Sequence, residues 1–258
     1  MPNSLREKAL SMTYLALDGM DPREAFWKAE ELYRLGTRNF KLEIELVIAA
    51  GFEDRCHLFL EDKPDVKLFL DLKLHLAARK LLATVVELEE RFYHHIEFIT
   101  VQAACGKDAL LALNKRPEPV AKILAVAWLS TMSRTEMRLV SGRDNAGQHF
   151  ISALGQIIEP SGCAGLILTQ EELNLGMFGR DPYNKLLKVV VGNRPEWAPK
   201  DDHYRYGPPG RAVELGADFL VVGRPLLFPP KEVGSTEAAL NLWVEEVATA
   251  LHSLTQAA

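Results

Sequence analysis

The sequence predicts an α/β protein built as one closed (β/α)8 TIM barrel over residues 1–258. Eight short apolar segments recur along the chain, and stretches with helical periodicity separate most of them. Apolar strands that alternate with helices are typical of a parallel sheet, and about 250 residues is an ordinary length for a barrel of eight such units. A doubly wound open sheet is the alternative fold.

Each predicted strand is a short run of apolar and β-branched residues, as expected for strands buried on both faces. The runs cover residues 13–17, 39–44, 66–72, 96–101, 121–129, 164–169, 187–191 and 217–222. Between them, apolar residues recur at about every third or fourth position, which predicts amphipathic helices. The clearest helical segments are 22–36, 77–92, 106–115 and 237–254. The segment 193–211 is too long and polar for a simple connection, so we interpret it as a functional loop.

The composition narrows the possible functions. A net charge of −5 argues against broad binding to nucleic acid or to an anionic membrane. No apolar run approaches the roughly 18 residues of a spanning helix, and the first residues lack a secretory signal, so we predict a cytoplasmic protein. The three cysteines, Cys56, Cys105 and Cys163, are too scattered for a disulfide framework or a zinc site. We expect no bound metal.

Polar residues stand at the carboxyl ends of the predicted strands, where a barrel of this type carries its chemistry. They are Asp18, Lys41, Asp71 with Lys73, Gln102, Ser130 with Ser133, Thr169 with Gln170, Gly192 with Arg194, and Gly223 with Arg224. Any strand must end in something polar, which is the simpler explanation for each residue singly. Their convergence on one rim favours a site.

Lys41, Asp71 and Lys73 form the first candidate cluster. Asp71 and Lys73 are two residues apart, so regular alternation places them on one strand face, and Lys41 projects from the neighbouring strand. A carboxylate between two ammonium groups suits a reaction in which negative charge develops on carbon, because one ammonium can stabilise or protonate a carbanion. A structural ion-pair network at the bottom of the barrel is the alternative.

Two Gly and Arg pairs form the second candidate cluster, a phosphate site. Gly223 and Arg224 follow the eighth strand, and Gly192 and Arg194 follow the seventh. Glycine permits close backbone approach, and the arginine fork binds phosphate in a bidentate manner. The loops after strands seven and eight commonly hold phosphate in this fold.

Seven segments, in this order, resemble the orotidine 5′-phosphate decarboxylase family. They are ALD, FKLEIEL, LFLDLKLH, VQAACG, STMS, GNRPE and ELGADFLVVGRPL, and the resemblance extends from Asp18 to Pro225. LFLDLKLH and GADFLVVGRPL are the most specific, because the family uses the first for catalysis and the second for phosphate. The resemblance implies a dimeric barrel with active sites at the subunit interface and no metal or organic cofactor.

The resemblance also implies roles for individual residues. Lys41, Asp71 and Lys73 match three alternating charged residues of the family, with Lys73 as the proton donor to C6 of the pyrimidine. Asp18 matches a residue that holds a ribose hydroxyl, and Ser133 matches the serine that reads the pyrimidine ring.

The phosphate residues match less completely. Arg224 and the backbone of Gly223 match the family's phosphate clamp. His203 stands where a glutamine normally touches the phosphate, and histidine can still donate a hydrogen bond there.

The chain departs from the family at the pattern DxKxxD, where Leu76 replaces the second aspartate. In the family that aspartate reaches into the partner subunit's site. Its loss leaves three alternating charges instead of four and an excess of positive charge, so we expect slower decarboxylation. Gln102 stands where the family usually has a histidine, which is a milder change.

Three functions follow from these residues. The first is a carboxy-lyase of pyrimidine biosynthesis that converts orotidine 5′-phosphate to uridine 5′-phosphate, with a nucleoside monophosphate and a second copy of the chain as partners. The second is a diverged enzyme of modified-nucleotide metabolism that uses the Lys–Asp–Lys set on another phosphorylated substrate. The third is a catalytically silent nucleotide-binding dimer.

Overall fold

The chain forms eight parallel strands that follow one another around a closed barrel, as the computed structural model shows. The structure describes residues 5–257 except 114, 117, 146, 147, 149, 150, 153–157, 159, 160, 179, 182 and 203. The strands are β1 Thr13–Ala16, β2 Asn39–Glu43, β3 Lys67–Leu74, β4 Ile96–Gln102, β5 Lys122–Val126, β6 Gly165–Leu168, β7 Leu187–Val190 and β8 Phe219–Val222. Because β1 pairs with both β2 and β8, the barrel prediction is confirmed and the open-sheet alternative is wrong.

Helices follow or precede the strands on the outside of the barrel. They are α1 Leu5–Ser11, α2 Pro22–Arg34, α3 Ile44–Val47, α4 Phe52–Leu60, α5 Ala78–Arg91, α6 Lys107–Leu113, α7 Arg134–Ser141, α8 Gln170–Leu173, α9 Pro209–Glu214, α10 Arg224–Leu227 and α11 Thr236–Ala257. In the part of the chain that the structure describes, none of them is both long and apolar enough to cross a membrane.

Local sequence explains where α2 begins and how the last helix is fixed. Asp21 accepts hydrogen bonds from the first-turn amides of Arg23 and Glu24, and proline follows it at the first helical position. In α11, the fully buried Trp243 donates its Nε1–H to Thr13 Oγ1 at 3.0 Å. That bond ties the final helix to the start of β1, where the barrel closes.

Aromatic rings fill the amino-terminal half of the barrel interior. Tyr14, Phe69 and Phe98 are fully buried, and the centroid of the Tyr14 ring lies 5.5 Å from that of Phe69 and 5.6 Å from that of Phe98 in edge contacts. The Tyr14 hydroxyl donates to Glu97 Oε2 at 2.6 Å. The amino-terminal half is therefore a packed core, and the carboxyl half is left for a site.

The fifth predicted strand is too long. Apart from Lys122, residues 121–129 are apolar, but β5 ends at Val126. Trp128 and Leu129 leave the strand and line the cavity described below, which explains their apolar character without a place in the sheet.

Candidate active site

A cavity of about 500 Å³ opens at the carboxyl ends of the strands. The predicted site residues that line it are Asp18, Lys41, Asp71, Lys73, Gly192, Arg194, Gly223 and Arg224. Glu43, Ser130, Thr131 and Asp202 line it as well. Both candidate clusters therefore face one space, and the lysines do not form an ion-pair network at the bottom of the barrel.

Lys41, Asp71 and Lys73 form a continuous charged chain. Asp71 Oδ2 lies 3.0 Å from Lys41 Nζ and 2.8 Å from Lys73 Nζ. Burial alone would raise the pKa of the Asp71 carboxyl, but the two ammonium groups hold it well below its ordinary value. Burial would lower the pKa of Lys41, and its carboxylate neighbours, with Asp71 foremost, raise it instead. Asp71 is therefore an ionised carboxylate and Lys41 a charged ammonium group at neutral pH.

Lys73 reaches this position through an irregular strand. Leu70 pairs with Ile99 and Leu74 with Val101, so three residues of β3 lie opposite Thr100 alone. Lys73 has φ of 47°, a left-handed conformation that costs energy for a residue with a side chain.

Thr100 holds the bulge in place from the neighbouring strand. Its hydroxyl accepts from Lys73 N at 2.8 Å and donates to Asp71 Oδ1 at 2.9 Å. Regular alternation along β3 does not predict this bulge, although Asp71 and Lys73 do meet. A β-bulge beside an active site re-aims a side chain, and here it leaves Lys73 partly exposed to the cavity.

Glu43 is a site residue that the sequence analysis missed. Its carboxylate lies 3.4 Å from Lys41 Nζ, and Asp18 Oδ2 lies 2.8 Å from the same atom. Two lysines thus face three carboxyl groups, so the excess of positive charge expected from Leu76 is not present. The signal was available, since Glu43 stands two residues after Lys41 and alternation places both on one face.

Asp18 and Glu43 influence each other's ionisation. Burial raises the pKa of Asp18 to about 8; Lys41 opposes this rise, and hydrogen bonding and repulsion from Glu43 add to it. Burial also acts to raise the pKa of Glu43, but Asp18, Lys41 and Lys73 together lower it. Among the described residues no partner hydrogen-bonds to Asp18 Oδ1, which is buried. At neutral pH the proton is on Asp18 and the charge is on Glu43.

Stability is expected to fall between about pH 4 and pH 8 because of Asp18. The folded chain keeps a proton on Asp18 up to about pH 8, whereas an unfolded chain releases it near the ordinary value of 3.8. The folded state binds more protons across this window, so each rise in pH favours unfolding. Urea denaturation of wild type and Asp18→Asn at several pH values isolates the effect. Parallel stability profiles for the two proteins would contradict it.

Arg194 and Arg224 lie close together at the other end of the cavity, where we predicted phosphate binding. Burial and the neighbouring charge of Arg224 lower the pKa of Arg194. Asp201 Oδ2 lies 3.2 Å from Arg194 Nη2 and 3.3 Å from Arg224 Nε, and Asp202 also pairs with Arg224. Two carboxylates from the 193–211 segment therefore occupy guanidinium groups that the prediction assigned to a phosphate.

Two glycines bring the backbone close to the same place. Gly192 has φ of 72°, and a Cβ there would lie 2.6 Å from the carbonyl oxygen of Arg205. A Cβ on Gly223 would lie 3.2 Å from the carbonyl oxygen of Ala16. Only glycine fits at position 192 without a shift of the backbone.

A buried arginine links the loop after β7 to α8, which follows β6, and to the loop after β5. Arg205 and Glu172 pair with their side chains almost fully buried, and Arg205 Nη2 donates to the carbonyl oxygen of Leu129 at 2.7 Å. Glu172 Oε2 also accepts from the amide of Thr169 at 2.7 Å. Nothing in the spacing of these residues indicated this contact, because they belong to three different loops.

Ser133 lies outside the cavity lining. It precedes α7, where its hydroxyl accepts from the amide of Glu136 and donates to the Glu136 carboxylate in a capping box. Ser130 and Thr131, earlier in the same loop, line the cavity. His203 lies outside the described residues, and Gln102 ends β4 without lining the cavity.

Comparisons with known proteins agree with the fold. The family described as "Orotidine 5'-phosphate decarboxylase / HUMPS family" matches residues 11–239. The orotidine 5′-phosphate decarboxylase of Methylacidiphilum infernorum is 30% identical over 227 residues, which cover 88% of this chain and 94% of that protein. The orotidine 5′-phosphate decarboxylase of Synechocystis sp. is 26% identical over 238 residues, which cover 91% and 96%.

A solved structure extends the comparison to three dimensions. The crystal structure of orotidine 5′-phosphate decarboxylase from Lactobacillus acidophilus matches with a TM-score of 0.70 at 24% identity, and the match covers 91% of this chain and 98% of that chain. At that identity the likeness concerns the fold. Together with the family match over most of the sequence, it identifies this chain as a member of the orotidine 5′-phosphate decarboxylase / HUMPS family.

Proposed function

We propose that this chain is a carboxy-lyase that converts orotidine 5′-phosphate to uridine 5′-phosphate and CO2. The observation that carries the proposal is the shared cavity, in which the Lys41–Asp71–Lys73 chain and the arginine pair face the same space. Membership of the family supports the same reaction.

The arrangement suits loss of CO2 from the pyrimidine ring. The bond between C6 and the carboxylate carbon breaks, CO2 leaves, and the electron pair stays on C6. Lys73 then delivers a proton from its ammonium group to C6 and later regains one from water. Asp71 holds Lys73 in place, and Lys41 fixes Asp71 from the other side.

Substrate binding uses the opposite end of the cavity. The phosphate binds to Arg194 and Arg224 and approaches the backbone of Gly192 and Gly223, as charge-assisted hydrogen bonds favour. The carboxylates that now pair with the two arginines must move when the phosphate enters.

We propose the remaining contacts from the resemblance of the sequence to the family. Asp18 lines the cavity and binds a ribose hydroxyl there. Ser133 reads the pyrimidine, for which its hydroxyl must leave the capping box with Glu136, and His203 touches the phosphate.

The proposed function is tested by incubating the purified protein with orotidine 5′-phosphate and following the loss of orotate absorbance. Binding of uridine 5′-phosphate is measured by calorimetry on the same preparation. We expect both turnover and binding. Binding without any turnover would contradict the proposed reaction and leave a nucleotide-binding role.

We also propose that the protein acts in the cytoplasm as a homodimer. Exposed apolar side chains support the dimer: Ile44 and Ile48 after β2 are 42% and 75% exposed, and Leu76 after β3 is 36% exposed. They stand at the carboxyl end of the barrel, where the resemblance places the subunit interface. A second copy of the chain would cover them.

A further inference from the structure

Glu43 lies at a position from which it can act on the whole charged chain. It ends β2 two residues after Lys41, lines the cavity, and has 30% of its side chain exposed. Glu43 is therefore neither a surface residue nor part of the packed core.

Lys41 has three acid neighbours. Its Nζ lies 2.8 Å from Asp18 Oδ2, 3.0 Å from Asp71 Oδ2 and 3.4 Å from Glu43 Oε1. A lysine ammonium has three N–H donors, so these three carboxyl groups saturate it. Because Lys41 is also buried, it has no donor left for a substrate and serves to fix its neighbours.

Lys73 differs from Lys41 in its contacts and exposure. Its side chain is 35% exposed toward the cavity, compared with 5% for Lys41, and the carboxylate that contacts it is Asp71. The two lysines thus have different roles: Lys41 orients its neighbours, and Lys73 is the proton donor.

Glu43 is the fourth charged residue of the cluster and completes its charge balance. The contacts run in the order Glu43, Lys41, Asp71, Lys73, so acids and bases alternate along the chain. With the proton on Asp18, the two ammonium groups face two carboxylates, and the cluster is neutral overall. Without Glu43, the second negative charge would have to come from Asp18, whose ionisation burial opposes.

We infer that Glu43 is a positioning residue: its carboxylate saturates Lys41 and supplies the second negative charge that keeps the cluster neutral around Lys73. The inference rests on the proposed function for its effect on turnover. Its effect on Asp18 does not depend on that function, since both carboxyl groups contact Lys41.

The test compares Glu43→Gln with Glu43→Asp, which keeps the charge, and with Glu45→Gln, an exposed glutamate two residues further along the chain. In Glu43→Gln we expect kcat to fall by about 10- to 100-fold with a smaller change in KM, as for loss of a preorganised charge. Glu43→Asp is expected to recover part of kcat, and Glu45→Gln to match wild type.

A second readout separates positioning from a structural role and needs no turnover. Carboxyl 13C NMR follows the titration of Asp18 in wild type and in each variant. Removing the neighbouring negative charge is expected to shift the Asp18 titration to lower pH in Glu43→Gln, and to leave it near wild type in Glu43→Asp. A folding defect alone would alter the spectra of both variants and would not produce this difference between their Asp18 titrations.

The outcomes are distinct. A loss of kcat with the Asp18 shift supports the inference. If the wild type does not turn over orotidine 5′-phosphate, the proposed function is overturned. A shifted Asp18 titration in Glu43→Gln would still support the placement of Glu43. Wild-type kcat together with an unshifted Asp18 titration in folded Glu43→Gln overturns the inference.

Discussion

Lys73→Ala is expected to abolish turnover of orotidine 5′-phosphate, with a loss of at least about 1,000-fold, and to leave uridine 5′-phosphate binding nearly unchanged. General acid catalysis by a positioned side chain contributes roughly 100- to 10,000-fold, and this substitution removes the donor itself. The phosphate-binding arginines stay in place, so affinity that comes from the phosphate persists. Single-turnover kinetics and calorimetry measure the two quantities.

Lys67→Ala is the matched control for Lys73→Ala. Lys67 begins the same strand at the opposite end of the barrel, and its side chain is exposed. This variant is expected to keep wild-type turnover. Near-wild-type activity in Lys73→Ala would remove Lys73 from the role of proton donor.

Arg224→Ala is expected to weaken uridine 5′-phosphate binding by about 10- to 100-fold and to leave uridine binding unchanged. A hydrogen bond to a charged group contributes roughly 1.5–3 kcal/mol to the binding free energy. The phosphate must replace two carboxylates that already pair with Arg224, which reduces the net gain. Because the Arg224 side chain is 44% exposed, solvent screening reduces the gain, so we do not expect a larger effect.

Arg211→Ala is the control for Arg224→Ala, because Arg211 is exposed on α9 and pairs with Glu214 away from the cavity. Calorimetry with the nucleotide and the nucleoside gives the comparison. An equal loss of affinity for both ligands in Arg224→Ala would show that Arg224 acts on the fold or on the base instead of the phosphate.

The sequence predicted the barrel because each strand carries its own signal. Apolar runs of strand length alternate with segments of helical periodicity, and this pattern can be recognised without knowledge of long-range contacts. The one clear error, the length of β5, has a physical cause. Trp128 and Leu129 are apolar because they line a cavity, and composition alone does not separate a cavity wall from a strand.

The cluster of Lys41, Asp71 and Lys73 was also predictable, since strand ends meet at one rim of a barrel. The manner in which Lys73 reaches Asp71 was not. Regular alternation explains a contact between residues two apart, whereas the strand bulges opposite Thr100 and places Lys73 in a left-handed conformation. A bulge depends on the pairing of two strands, which one strand's sequence does not reveal.

Apart from Glu43, the site residues that the sequence did not predict act through contacts between distant segments. Glu172 meets Arg205 only after the β6 and β7 loops have folded together. The carboxylate of Asp201 likewise contacts both Arg194 and Arg224 only when the loops have folded against each other. Their charges were visible in the sequence, but their partners were set by the three-dimensional packing of loops.

The most direct test of the proposed reaction is turnover of orotidine 5′-phosphate in D2O, followed by proton NMR of the product. If C6 receives its proton from the exchangeable ammonium group of Lys73, the wild-type protein will yield uridine 5′-phosphate that carries deuterium at C6, with one CO2 released per nucleotide. A folded, nucleotide-binding protein that leaves orotidine 5′-phosphate unchanged would contradict the account.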